Sequence, residues 1–134
     1  MIPVRIDAHQ LIKECLSSEQ LLLIKEGIQE QLRKGMIDPS RGGYAQFQYS
    51  PYTVKKRKRR GLQTSYVDAH YTGSLYRSIN VTINGMVLRI ENSAITYEKL
   101  KENKEYAKNM MMVSKPLMDK FINSVTMKAI HAIL

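Results

Sequence analysis

The stretch that decides the fold of this chain is residues 72–91, which read TGSLYRSINVTINGMVLRIE. Its opening part, Thr72–Ile79, predicts a short capped helix with Leu75 and Ile79 on the buried side. In the rest, apolar residues alternate with polar residues on both sides of Asn84-Gly85. Asn-Gly between alternating segments is the strongest short-range hairpin signal in a sequence. Residues 80–91 are therefore predicted to form a β-hairpin.

A helix is predicted upstream of this stretch. Ser17-Ser18-Glu19-Gln20 has the spacing of a capping box, with Ser17 as the N-cap. The residues that follow place apolar side chains at helical spacing, and Gly35 is a natural left-handed stop. The apolar stripe consists of Leu21, Ile24, Ile28 and Leu32. Further upstream, residues 4–14 carry a mixed apolar pattern that fits a strand or a short helix.

Two further helices are predicted downstream. Residues 94–109 are rich in lysine and read as one helix, with Ile95, Leu100, Tyr106 and Ala107 as its apolar positions. Met110–Val113 is either a strand or the end of that helix. Ser114 is predicted to cap a final helix with Pro116 in its first turn. Its apolar stripe is Met118, Ile122, Val125, Ala129 and Ile133, widened by Leu117 and Phe121.

These elements predict an α+β fold, in which helices pack on a small antiparallel β-sheet. The 134 residues are expected to form a single domain, 1–134, because domains usually contain roughly 100–200 residues. No apolar run approaches the roughly 20 residues that a membrane span needs, and the N-terminus does not resemble a signal peptide. A lone Cys15 excludes an internal disulfide and a multi-thiolate metal site, and it is expected to be a small buried residue.

The charge of the chain is concentrated in one place. The sequence holds 21 basic against 12 acidic side chains, for a net charge of +9. Six consecutive cations account for most of the excess, and we call them the basic cluster: Lys55, Lys56, Arg57, Lys58, Arg59 and Arg60. Such a run must be solvated or must meet something anionic, such as nucleic acid, an acidic protein surface or an anionic membrane. A solvated surface or a nuclear-localisation signal would have the same composition.

The basic cluster lies within a segment of irregular texture, residues 36–71. Prolines and glycines interrupt this segment, and tyrosines are scattered through it. Pro51 is predicted to open a short helix that Ser50 caps, and Gly61 is predicted to end it. The remainder is expected to be a long, partly mobile loop, which in a compact domain is usually a binding segment.

Catalytic and metal-binding patterns are weak in this sequence. Asp68-Ala69-His70 could supply two metal ligands or a general base. Asp68, His70 and Glu91 could together serve a small nuclease. Their spacing selects neither chemistry, and His9 and His131 lie far from His70 in the sequence. We therefore expect a protein that is not an enzyme and that uses no metal and no cofactor.

Two short motifs stand in an order that resembles a family of tailed-bacteriophage proteins. Ser50-Pro51-Tyr52-Thr53 matches an S-P-x-T step before a basic stretch, and Thr72–Ile79 matches T-G-x-L-x-x-S-I before a β-hairpin. The family comprises tail-completion or head–tail joining (neck) proteins related to Mu-type virion morphogenesis proteins. Tyr106-Ala107 and Lys115-Pro116-Leu117 are similar to its later Y-A and R-P-F elements, with Lys115 and Leu117 replacing the Arg and Phe.

The resemblance implies a structural virion protein that forms a homo-oligomeric ring between the DNA-filled head and the tail. Its partners would be the adjacent head-connector and tail proteins, with possible contact to genomic DNA in the lumen and none to a membrane. It would be located in the virion, and in the host cytoplasm during assembly. The basic cluster would contact an anionic partner, and the interface anchors would be Tyr44, Phe47, Tyr49, Tyr52 and Tyr66. The alternative is a small basic nucleic-acid-binding protein that acts through the basic cluster.

Overall fold

The computed structural model describes residues 16–38, 40, 42–84 and 87–134. Within these ranges six helices accompany one two-stranded antiparallel sheet, which confirms the predicted α+β class. The elements are α1 (Ser18–Arg33), α2 (Pro51–Arg59), α3 (Ser74–Arg77), β1 (Ile79–Asn84), β2 (Val87–Asn92), α4 (Ile95–Leu100), α5 (Lys104–Asn109) and α6 (Lys115–Ile133). The predictions for residues 4–14, His9 and Cys15 lie outside the described residues.

Helix α1 begins and ends where the sequence predicts. The side-chain oxygen of Gln20 accepts a hydrogen bond from the backbone N–H of Ser17 at 3.1 Å, which satisfies a donor at the helix start. At the other end Gly35 adopts φ +107°, a conformation that costs glycine little, and its N–H donates to the carbonyl of Leu32 at 3.0 Å. The apolar stripe of α1 is the centre of the core, since Ile24, Ile28 and Leu32 are fully buried.

Helix α6 packs on this stripe with one side of the wide apolar stripe that the sequence predicts. Its buried residues are Leu117, Phe121 and Val125, which the sequence analysis placed at the edge or in the middle of a wider stripe. Ile122, predicted to be buried, is 51% exposed. The reason lies on α1, where Gly27 lacks a side chain and Leu117 occupies the space that a Cβ atom would take. Close approach at this glycine turns Leu117, Phe121 and Val125 toward α1.

The predicted hairpin is present and extends one residue further at each end. β1 and β2 pair in register from Ile79 with Asn92 to Asn84 with Val87. Asn84 is thus the last paired residue of β1, and the two connecting residues, 85–86, lie outside the described residues. Val81 is buried, while the alternating residues on β1 are exposed, as the period of two requires.

Two buried polar side chains connect the elements. Gln31 of α1 donates to the carbonyl of Met112 at 2.5 Å and accepts from the backbone N–H of Ser114 at 3.1 Å, which positions the start of α6. Asn92 donates to the carbonyl of Leu75 at 2.8 Å and accepts from the N–H of Ala94 at 3.0 Å. Both side chains satisfy backbone groups that would otherwise be buried without partners.

The lysine-rich region differs from its prediction. Residues 94–109 form two short helices, α4 and α5, because a turn at residues 101–103 separates them and Asn103 caps α5. Ile95, named as one of the apolar positions of the predicted helix, is 76% exposed. Residues 110–113 form a turn and a connecting segment and contain no strand, while Met110 fills the core.

Candidate partner-binding surface

Helix α2 forms inside the 36–71 segment, with the boundaries that the sequence predicts. Ser50 accepts a hydrogen bond from the backbone N–H of Thr53 at 3.3 Å, and Pro51 occupies the first turn. Gly61 adopts φ +69° after the last turn, where its N–H donates to the carbonyl of Lys58 at 3.1 Å. The cations of the last turn lie at the negative end of the helix dipole, which reduces the cost of placing them together.

The six cations of the basic cluster are not equivalent, and this corrects the sequence analysis. Arg57 is only 4% exposed, so it cannot serve as a surface contact for a partner. The other five, Lys55, Lys56, Lys58, Arg59 and Arg60, are exposed. Six consecutive side chains on a helix project around its whole circumference. Because α2 packs on the protein, one of them must face the interior.

The guanidinium of Arg57 connects α2 to the loop that follows it. Its Nε donates to the carbonyl of Gln63 at 2.8 Å, one terminal nitrogen donates to the carbonyl of His70 at 2.9 Å, and the other donates to the Asp68 carboxylate at 3.1 Å. Three acceptors around a planar fork suit arginine and would not suit lysine. Among the described residues, no buried side-chain nitrogen or oxygen lacks a hydrogen-bond partner.

Asp68 is the acceptor around which this arrangement is organised. Besides Arg57, its carboxylate accepts from the Tyr49 hydroxyl and from the backbone N–H of His70, each at 3.0 Å. Its backbone carbonyl accepts from the Tyr76 hydroxyl at 2.6 Å. We call Tyr49, Arg57, Asp68, His70 and Tyr76 the Asp68 network. The Asp68 carboxylate, considered from sequence as a ligand or a base, is engaged here within the chain.

The tyrosines of the Asp68 network are strongly desolvated. Burial raises the pKa of Tyr49 to about 12, and the neighbouring Asp68 carboxylate adds to the effect. Burial, with the same carboxylate as a second cause, also raises the pKa of Tyr76. The Arg57 guanidinium lies 4.5 Å from the centre of the Tyr49 ring, in a cation–π contact. Both phenols therefore remain neutral donors across the physiological range of pH.

The predicted interface residues do not form one patch. Tyr52 lies in the first turn of α2 and is 73% exposed, and Tyr49 lies beside this helix. Phe47 packs against the Tyr106 ring, with the two ring centres 5.2 Å apart. Tyr44 lies near the Lys34 ammonium at the end of α1, and the Tyr66 hydroxyl donates to the Arg33 carbonyl at 2.8 Å.

A groove beside α2 is the feature that the sequence analysis missed. It has a volume of about 280 Å³ and lies between α2, the loop that contains Asp68, and α4. The residues that line it are Tyr49, Tyr52, Thr53, Lys56, Arg57, Val67, Ala69, Tyr71, Thr96 and Leu100. Tyr71 and Leu100 are far from α2 in sequence, so only the tertiary fold brings them to it. The available signal was the group of tyrosines before and after the basic cluster, and it did not indicate a groove.

Other kinds of site find little support in the described residues. Within residues 16–38, 40, 42–84 and 87–134, no three His, Cys, Asp or Glu side chains are grouped so that they could hold a metal ion. None of the helices described is long and apolar enough to span a membrane. No protein-family model, no curated protein and no solved structure matches the chain.

Proposed function

We propose that this chain is an assembly protein of a tailed bacteriophage: a neck or tail-completion ring subunit that joins the head to the tail through a cationic surface. The observation that carries the proposal is that Asp68 binds both of the elements that the motifs of the family resemblance mark. The helix that follows Ser50-Pro51-Tyr52-Thr53 supplies Arg57, and the Thr72–Ile79 element supplies Tyr76, and both bind Asp68. The Asp68 network thus connects the two elements in which the motifs lie.

The surface beside that network suits an assembly role. Five exposed cations stand on a helix that is capped at both ends and connected to the loop through Arg57. A pre-organised helix loses little conformational freedom when it binds a partner, so more of the electrostatic attraction is retained as affinity. Clustered surface charge also accelerates the encounter with an anionic partner and favours one orientation.

A gene deletion tests the role, and a cationic-surface variant tests the mechanism. Without the gene, we expect DNA-filled or leaking heads that are separate from tails when particles are viewed by negative-stain electron microscopy. The complementing variant replaces Lys55, Lys56, Lys58, Arg59 and Arg60 with Gln and retains Arg57, because replacing a buried partner of Asp68 would confuse loss of joining with loss of the fold. We expect this variant to fold and to join heads to tails poorly.

The controls are wild-type complementation and the urea midpoint of each purified protein. Normal numbers of intact particles from the deletion would exclude an essential joining role. Normal joining by the variant with five substitutions would exclude the cationic surface as the contact.

One observation favours the second candidate, a nucleic-acid-binding protein. Tyr52 is largely exposed beside the Lys56 ammonium, which lies 5.7 Å from the ring centre, and exposed aromatic rings among cations can stack on bases. This function predicts binding to single-stranded DNA that weakens steeply as salt increases. Affinity no better than millimolar near physiological salt would exclude it.

A further inference from the structure

The groove beside α2 differs in chemistry from the rest of the basic surface. Val67, Ala69 and Leu100 contribute apolar surface to it, and tyrosine rings form much of the remainder. Its volume of about 280 Å³ lies just below the roughly 300–1,000 Å³ of pockets that take whole small molecules. Space of this size suits one large side chain of a partner.

Four of the five exposed cations form two pairs on different faces of α2. Lys56 lines the groove, and its ammonium lies over Tyr52, while the Arg60 guanidinium lies 4.3 Å from the centre of the Tyr71 ring, which also lines the groove. Lys55 and Arg59 are four residues apart, so they share another face of the helix. The positions of Lys56 and Arg60 therefore place positive charge at the edge of an apolar groove.

Two of the polar side chains along the groove already have partners within the chain. The Tyr49 hydroxyl donates to Asp68, and the Arg57 guanidinium donates to Asp68, His70 and Gln63. A nucleobase placed there would lose hydrogen bonds to water along its polar edge and gain few from the protein, which is costly. An apolar side chain would lose none. The groove thus favours a hydrocarbon or aromatic side chain, and its edge favours a carboxylate.

We propose that the groove binds an acidic linear segment of a neighbouring protein, with an apolar or aromatic side chain in the groove and adjacent carboxylates on Lys56 and Arg60. The occupant is a peptide whose Asp or Glu residues lie within a few positions of a large apolar residue. Hydrophobic burial supplies the anchor, and charge complementarity selects the sequence around it. This inference rests on the proposed function, because it names the kind of contact through which the subunit would join its neighbour.

The test is a selection from a yeast-displayed library of short randomised peptides with the full-length chain as the target. We expect enrichment of peptides that combine acidic residues with a nearby Phe, Tyr, Leu or Met. Lys56→Gln/Arg60→Gln should weaken the selected peptides by about tenfold, because it removes both cations at the edge of the groove. Lys55→Gln/Arg59→Gln removes the same charge from another face of α2 and should weaken them less than about threefold.

A second pair of variants tests the groove itself. Tyr52→Ala removes a wall of the groove, and because Tyr52 is largely exposed, the fold should be retained. Tyr44→Ala removes a tyrosine outside the groove and is the matched control. Tyr52→Ala should reduce the preference for the apolar residue, whereas Tyr44→Ala should not.

The proposal is overturned if no acidic-apolar peptide is enriched, or if the two double variants weaken binding equally. It is also overturned if a single-stranded oligonucleotide binds more tightly than the selected peptides and the groove variants affect it more, an outcome that would assign the groove to nucleic acid. These results are separate from the particle experiment. If joining depends on the five exposed cations while the groove variants join normally, the proposed function stands and the groove assignment fails.

Discussion

Replacing Arg57 with Ala should destabilise the protein far more than any neighbouring substitution in the basic cluster. The change removes three hydrogen bonds and leaves the Asp68 carboxylate, itself only 10% exposed, without its counter-ion. Breaking a buried ion pair by removing one partner typically costs about 3–5 kcal/mol, because the remaining charge is desolvated and uncompensated. Total stability of a domain is about 5–15 kcal/mol, so the loss would be a large fraction of the whole.

The assay is urea unfolding at neutral pH, followed by far-ultraviolet circular dichroism or by fluorescence of the eight tyrosines, since the chain has no tryptophan. For a chain of 134 residues, each kcal/mol corresponds to about 3–6 °C, so the melting temperature should fall by about 10–30 °C. Lys58→Ala is the matched control, because Lys58 is the next residue of α2 and is exposed. It should change the stability by no more than about 0.5 kcal/mol.

The reasoning would be refuted if Arg57→Ala and Lys58→Ala had similar effects on the free energy of unfolding. A second comparison identifies the cause. Asp68→Asn leaves Arg57 without its counter-ion, but Arg57 keeps the carbonyls of Gln63 and His70 as acceptors and the Asn oxygen can still accept hydrogen bonds, so this change should cost less than Arg57→Ala does. The double variant should lose less stability than the sum of the losses in the two single variants, since both substitutions remove the same ion pair.

Three further outcomes are expected. Burial raises the pKa of Tyr49 to about 12, above the value of roughly 10 in unfolded chains. The unfolded state therefore releases this proton at a lower pH than the folded state, so stability should fall as the pH rises from about 10 to 12. Tyr49→Phe should make that fall shallower in urea titrations, and an unchanged slope would contradict the assignment. Gly27→Ala gains about 1 kcal/mol of helix propensity but places a methyl group 2.9 Å from Cγ of Leu117, so it should be net destabilising. The destabilisation should be smaller in a Leu117→Val background. If the effects of the two substitutions on denaturant unfolding simply add, the methyl group and Leu117 do not clash. Gly73→Ala should lower the stability by about 1–2 kcal/mol in thermal unfolding, because φ is +84° and the methyl group meets the Arg77 side chain. Gly42→Ala places its methyl group where no atom lies within 4 Å, so it should cost less. Equal losses of stability in the two variants would mean that backbone strain alone is the cause.

Local signals predicted much of the fold because their physics is contained in a few adjacent residues. The Ser17 and Gln20 pairing, the Ser50-Pro51 start of α2 and the Asn84-Gly85 hairpin each depend on backbone groups within four residues. The α+β class followed from these elements and their order. Caps and turns can therefore be identified without knowledge of the tertiary structure.

Features that depend on distant partners were not predictable from the sequence. The six cations of the basic cluster look alike in the sequence, and only Asp68, eleven positions after Arg57, distinguishes the buried one. The sequence predicted a wider buried stripe on α6 than the structure shows, because apolar residues cover a wide arc of that helix and Gly27 of α1 selects among them. The groove beside α2 needed Leu100 of α4, whose position no local pattern specifies.

The three-acceptor geometry of Arg57 has a consequence for how this surface can vary through evolution. A lysine at position 57 would supply positive charge but could not direct donors at Gln63, His70 and Asp68 in one plane. In any relative that keeps the Asp68 network, this position should admit only arginine, while the five neighbouring positions exchange lysine and arginine freely. The partner-binding surface can then drift to follow a changing partner while the helix that carries it stays in place.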